Sequence, residues 1–209
     1  MPDTKPAQID SPAAVRALRK DRFFAPVVKQ VGAISIERRA GSVFSSLSRA
    51  IIYQQLAGRA AQTIHGRFVG VLGGSVTERS VLDADPEALR GAGLSRAKLG
   101  AILDLAAKSS EGTVRLRGLS RLPDEEVVNQ LTVVRGIGEW TAQMFLMFHL
   151  GRPDVWPVGD LGVRAGWARI HGLDGHPDPR ELRTSADHLA PWRSAAAWYC
   201  WRAVDTVTV

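Results

Sequence analysis

Residues 131–160 constrain this chain more than any other stretch. The run Leu131-Thr132-Val133-Val134-Arg135-Gly136-Ile137-Gly138-Glu139-Trp140-Thr141-Ala142 leads into an apolar segment, and Trp156-Pro157-Val158-Gly159-Asp160 follows. Two glycines around one apolar residue allow a tight turn, because glycine enters positive φ without steric cost and lets another molecule approach the backbone. Helical patterning on both sides makes the segment a helical hairpin. The first N–H groups of the second helix lack intrahelical partners and lie at the positive end of its dipole, which suits a phosphate. Arg135 adds a cation beside the turn. A hairpin that merely joins two core helices would carry the same glycines.

The rest of the chain is patterned as helix. Ser11-Pro12 reads as a cap and first helical residue. Further helices are expected over 25–31, 44–53, 60–72, within 81–90 where Asp85-Pro86 is a helix-start signal, from Ser95 to about 106, from Pro123 into the hairpin, and over 141–150, 161–170, 181–189 and 192–203. Only 113–116 and 204–209 approach the alternation of a strand. About ten helices without a strand array give an all-α fold in two lobes. The expected organisation is a flexible tail at 1–11 and one domain at 12–209. Its central lobe spans about 50–155 with the hairpin at 134–139, and its second lobe spans about 12–49 plus 161–209.

At 209 residues and 45% hydrophobic, the chain is long and apolar enough to bury a core. Its net charge of +6 suits a polyanion such as nucleic acid. A single cysteine, Cys200, excludes an internal disulfide, a four-cysteine zinc site and a cysteine-ligated iron–sulfur cluster. The five histidines show no metal-ligand spacing, so no zinc is expected. The start lacks an apolar signal core. The longest apolar stretch, 142–150, falls short of the ~20 residues that span a bilayer. These features lead to the expectation of a soluble, intracellular protein.

The hairpin with its following Trp-Pro-Val-Gly-Asp-Leu-Gly-Val-Arg resembles the signature of the helix–hairpin–helix (HhH-GPD) DNA glycosylases, most closely the 3-methyladenine DNA glycosylase II (AlkA-type) branch. Three other stretches agree: Ile51-Ile52-Tyr53-Gln54-Gln55-Leu56, Gly93-Leu94-Ser95-Arg96-Ala97-Lys98, and Pro191-Trp192-Arg193-Ser194 with Trp201 behind it. The resemblance covers roughly residues 15–204. It implies a two-lobed helical bundle with the active site in a cleft between the lobes. There are departures. The residue before the first glycine is usually Pro and here is Arg135. No cysteine cluster follows, which excludes the iron–sulfur branch, and the chain has no room for an extra N-terminal β domain. Bifunctional members carry a Lys just before the position of Thr141; Trp140 stands there, which implies a monofunctional enzyme without lyase activity.

The implied activity is base-excision repair: flipping an alkylated base (3-methyladenine or 7-methylguanine type) out of duplex DNA and hydrolysing its N-glycosidic bond, leaving an abasic site. Asp160 is the candidate catalytic residue. Positive charge develops on the sugar as the bond breaks, and a nearby carboxylate stabilises it and activates water. Asp160 is equally placed to cap the helix that begins at Leu161, and both roles can hold at once. An extruded base needs aromatic walls; Trp140, Trp201 and Tyr53 are the candidates. Trp167, Trp192 and Trp198 read as core, and Trp156 stays open. The resemblance makes 54–56 a wedge loop, with Leu56 or Gln55 filling the gap in the stack, although Leu56 suits a core position as well. Arg135, Gly136, Ile137, Gly138, Thr141, Ser95, Arg96, Lys98 and Arg59 are candidates for the DNA backbone. For Ser95, Arg96 and Lys98 the alternative is capping and solvating a helix start.

No cofactor is required by this chemistry. The resemblance implies a monovalent cation, Na+ or K+, at the carbonyls of Thr132, Val134 and Ile137. The expected partner is damaged double-stranded DNA, bound by a monomer with no membrane association. The expected compartment is the cytoplasm, at the nucleoid in a bacterium, or the nucleus in a eukaryote. Two other readings remain: a glycosylase of different base specificity, and a helix–hairpin–helix DNA-binding module without catalysis.

Overall fold

A computed structural model describes residues 9–34, 41–56 and 58–205. Among them the chain forms twelve α-helices, two single turns of 3₁₀ helix and no strand. In chain order these are α1 (Pro12–Leu18), α2 (Phe24–Val31), α3 (Val43–Tyr53), α4 (Gly58–Val71), α5 (Glu78–Leu82), α6 (Pro86–Gly91), α7 (Arg96–Ser110), α8 (Asp124–Thr132), α9 (Glu139–Phe148), α10 (Leu161–His171), α11 (Pro179–Ser185) and α12 (Arg193–Asp205). The 3₁₀ turns are Leu119–Arg121 and Asp187–Leu189. Most of the tail expected at 1–11, and most of 204–209, lie outside the described residues.

Side-chain caps start most helices. Ser11, Ser42, Ser95, Asp160 and Asp178 each accept an N–H from the first turn, and Thr77 and Ser80 cap each other's backbone. The helix start expected at Asp85-Pro86 is where α6 begins, and α5 precedes it as a separate helix. Asp85 precedes Pro86, which disfavours helical backbone at Asp85, and its ψ of 120 breaks the run. The run over 181–189 likewise ends at Ser185 and continues as the 3₁₀ turn. At 113–116 the alternation is real, since Val114 and Leu116 are buried while Thr113 and Arg115 are exposed, but no second strand pairs with it.

The chain divides into two compact units, Arg39–Phe145 and Met1–Arg38 with Leu146–Val209. These boundaries differ from the expected ones. α3 belongs with the central unit because it packs on α4 and α7. Residues 146–155 belong with the terminal unit, where Phe148 stacks on Trp201 and Asp154 pairs with Arg193.

In the unit Arg39–Phe145, α7 packs against α3, α5 and α6. Leu47, Ile51, Ile52, Phe68, Ile102 and Leu105 are fully enclosed there. Burying one such side chain contributes about 1.5–3 kcal/mol. α5 and α6 are too short to persist alone, and Val81 and Leu89, both at 0% exposure, anchor them. In the other unit α12 is central and packs against α10, α2 and α1. Its Tyr199 is buried and donates its hydroxyl to the Gly32 carbonyl, 2.7 Å away.

Candidate active site

The hairpin turn lies between α8 and α9. The Ile137 N–H donates to the Val134 carbonyl and the Ala142 N–H to the Gly138 carbonyl, both at 3.1 Å. Gly136 sits at φ 79, and a Cβ there would lie 2.9 Å from the Ala101 methyl, so conformation and packing both demand glycine. Gly138, expected to share that freedom, is not at positive φ. A Cβ there would meet nothing within 4 Å; its contribution is an uncovered backbone. Ile137 and Thr141 are each 3% exposed, so any DNA contact from Ile137 comes from backbone alone.

α7 holds this turn. Asp104 Oδ2 accepts the Arg135 N–H at 2.7 Å and the Lys108 ammonium at 2.6 Å, and Lys108 also donates to the Val133 carbonyl at 3.0 Å. The Lys108 hydrogen bond, reinforced by the Arg135 N–H and opposed by burial, holds the Asp104 carboxyl below the usual carboxylate range. The Arg135 side chain is exposed.

The wedge loop begins at Gln54, at the end of α3. Gln55 is at φ 54, alone at positive φ among the described non-glycine residues, and Gln55 and Leu56 are both exposed. At 37% exposure Leu56 is not a core residue. Lys98, expected on phosphates, does other work: its ammonium donates to the carbonyls of Ile52 and Gln54 at 2.7 and 2.8 Å. Burial pushes its pKa down. Ser95 caps α7 by accepting the Lys98 N–H. Thr141, also expected on the DNA backbone, accepts from the Gln54 amide. Arg59 and Arg96 are exposed. Tyr53 is half-buried, with the Arg49 guanidinium 4.0 Å from its ring centre and His65 edge-on at 6.3 Å.

In the terminal unit Asp160 caps α10. Its Oδ1 accepts the Val163 N–H and the Trp201 indole N–H, each at 2.8 Å. The Trp201 ring stacks on Phe148, centroids 5.8 Å apart and planes 27° apart. Two glycines of α10 permit this. A Cβ on Gly162 would fall 2.7 Å from the Trp201 ring and 3.1 Å from Asp160 Oδ1. A Cβ on Gly166 would fall 2.1 Å from the Cys200 carbonyl oxygen, so α10 and α12 meet at backbone contact. Cys200 is fully buried, and burial first, then the charge of Asp160, pushes its thiol far up, which removes it as a nucleophile.

The tryptophans separate clearly. Trp140 is 40% exposed, alone in that class among the six. Trp156 is core, with its indole donating to the Leu182 carbonyl, and Trp167 is core, stacked on His171. Trp192 and Trp198, expected in the core, are half-buried. Sequence reasoning placed Gln54 in the wedge loop without a contact of its own, and assigned no role to Asp104, Phe148, Gly162 or Gly166. Only the glycines left a signal, being four residues apart in a helix.

Comparison with known proteins identifies the family. Residues 48–191 match the HhH-GPD superfamily of base excision DNA repair proteins. DNA-3-methyladenine glycosylase 1 of Schizosaccharomyces pombe is 35% identical over 162 residues, covering 76% of this chain and 71% of that protein. The putative DNA-3-methyladenine glycosylase YfjP of Bacillus subtilis is 32% identical over 171 residues, covering 78% of this chain and 60% of that protein. The solved structure of S. pombe 3-methyladenine DNA glycosylase (Mag1) with abasic DNA superposes with a TM-score of 0.86 at 32% identity, covering 94% of this chain and 98% of that one. The chain therefore belongs to the HhH-GPD superfamily of base excision DNA repair proteins, and within it to the 3-methyladenine DNA glycosylases.

Proposed function

We propose that this protein is a monofunctional DNA glycosylase. It flips an alkylated base of the 3-methyladenine or 7-methylguanine type out of duplex DNA, hydrolyses the N-glycosidic bond and leaves an abasic site without a lyase step. The observation that carries this reading is the double hold on Asp160 Oδ1 by Val163 and Trp201. Two donors on one oxygen fix the carboxylate's plane, as an electrostatic catalyst requires.

The base departs with the electron pair of the C–N bond, and positive charge gathers on the sugar. A carboxylate about 4 Å away at an effective dielectric of ~20 is worth about 4 kcal/mol, close to a thousandfold in rate. Water then attacks the anomeric carbon, and Asp160 accepts its proton. An alkylated purine is cationic and leaves as a neutral base, so one carboxylate suffices without a partner acid. Trp140, Trp201 and Tyr53 are each candidates for stacking on the extruded base, and Trp201 also positions Asp160. Gln55 or Leu56 fills the gap in the stack. Arg135, Gly136 and Gly138 hold the DNA backbone, and the exposed Arg59 and Arg96 supply further cations for it. The protein acts as a monomer on damaged duplex DNA. Among the described residues no helix is long and apolar enough to cross a membrane.

A monovalent cation fits the hairpin as a reinforcement. The Thr132, Val134 and Ile137 carbonyls would hold it. The Val134 oxygen accepts the Ile137 N–H and keeps a second lone pair for an ion.

The decisive experiment uses Asp160→Asn. The amide keeps an oxygen for Val163 and Trp201 and loses only the charge. Base release from methylated duplex DNA falls about a thousandfold, in line with the ~4 kcal/mol above, while thermal stability and DNA affinity stay near wild type. Near-normal release by this variant would remove Asp160 from the mechanism.

A further inference from the structure

The wedge loop and the hairpin are joined by one side chain. The Gln54 amide nitrogen donates to the Gly136 carbonyl and to the Thr141 hydroxyl, both at 2.9 Å. A backbone carbonyl has no proton to offer, so the amide can face Gly136 only through its nitrogen. Both of its N–H groups are thereby used. Gln54 itself is held in place: Lys98 donates to its carbonyl and to that of Ile52, and its backbone is extended at φ −54, ψ 131. The next residue is Gln55 in the left-handed region, followed by exposed Leu56.

We propose that Gln54 is a positioning residue that registers the wedge loop against the hairpin, so that anchoring of the DNA backbone and filling of the vacated base position occur in one rigid frame. The proposal rests on the glycosylase reading. Undamaged duplex needs the hairpin but not the wedge, so Gln54 acts on discrimination and not on general affinity. Gln54→Ala removes both hydrogen bonds. Gln54→Glu keeps the length of the side chain but sets a carboxylate oxygen against the Gly136 carbonyl, so it is at least as damaging. Thr141→Val removes one acceptor while keeping the shape of a buried side chain.

The test compares binding of the full chain to duplex carrying a stable abasic-site analogue with binding to the same duplex undamaged, alongside base release and thermal melting. In Gln54→Ala and Gln54→Glu the preference for the abasic duplex drops about tenfold, equivalent to ~1.4 kcal/mol, with undamaged affinity within about twofold of wild type. Thr141→Val loses part of that preference. The inference is overturned if both duplexes weaken equally, if only the melting temperature moves, or if the preference is unchanged in a wild-type background that discriminates and releases base. A wild-type protein that neither prefers the abasic duplex nor releases base would defeat the glycosylase reading, and this inference with it.

Discussion

The turn at Gly136 is held by side chains that arrive from far along the chain, whereas the carboxylate of Asp160 is held by the start of its own helix and by a helix packed at backbone contact. Around the hairpin, Asp104, Lys108 and Gln54 each contribute polar contacts to backbone groups that the turn leaves unpaired. Around Asp160, Gly162 and Gly166 remove side chains so that α12 can bring Trp201 onto the carboxylate. The first region distributes its support over several moderate hydrogen bonds, each worth about 0.5–1.5 kcal/mol net. The second concentrates it in close packing, which leaves no room for adjustment. The hairpin should therefore degrade gradually under mutation and the carboxylate site abruptly.

The largest expected effect follows at Gly166. In Gly166→Ala the new methyl would meet the carbonyl and Cα of Cys200, which are backbone atoms of α12 and cannot rotate away. Overpacking typically costs 1–3 kcal/mol, and this site lies at or above the upper end, about 3 kcal/mol. Urea denaturation followed by circular dichroism reads the loss directly. A cost below about 1 kcal/mol would show that α10 and α12 can part, and would weaken the contrast between the two regions.

A smaller effect, falling on chemistry more than on stability, is expected at Trp201. Trp201→Phe keeps a ring for Phe148 to stack on and loses only the indole N–H to Asp160. A hydrogen bond to a charged group is worth about 1.5–3 kcal/mol, so base release slows roughly 10- to 100-fold at saturating DNA. Gly162→Ala should imitate it, because its methyl displaces the indole from 2.7 Å. Single-turnover release and thermal melting, measured together, separate the two. If both variants lose stability in proportion to rate, Trp201 serves packing and not the carboxylate.

Much of the first region was legible in the sequence, and little of the second. Gly136, Arg135 and the caps at Ser95 and Asp160 are local in the chain, and their physics is that of single residues at helix ends and turns. The all-helical character followed from periodicity in the same way. The helix start at Asp85-Pro86 is legible in the same way, because an Asp before a Pro is a local capping signal. A lysine at a helix start reads as a phosphate ligand; that the end of α3 lies against Lys98 depends on tertiary packing. Asp104, Gln54 and Phe148 act across separations of 31 to 82 residues, which no local pattern encodes. Trp201 was assigned to the base pocket, but its hydrogen bond to Asp160 depends on an inter-helix distance set by two glycines.

The smallest effect tests whether the hairpin's support is as replaceable as it appears. Arg135 precedes the turn, and its backbone N–H needs an acceptor; Asp104 is that acceptor. Proline has no N–H, so it would make the carboxylate dispensable at that contact. Asp104→Ala leaves an N–H at an exposed residue to water, at a cost of about 1 kcal/mol or less. In the Arg135→Pro background the same change should cost less, with a coupling of about 0.5 kcal/mol or more between the two sites. The Lys108 contact is present in both backgrounds and cancels. The carboxyl is held below its ordinary range, so its contribution is fully present at neutral pH. That contribution fades only as pH falls below about 4. A double-mutant cycle on urea midpoints at pH 7, repeated near pH 3, measures both. Additive effects at pH 7 would mean that the Asp104–Arg135 contact contributes nothing to holding the turn, and that the conformation of Gly136, the Lys108 bond to Val133 and the Gln54 bond to Gly136 hold it.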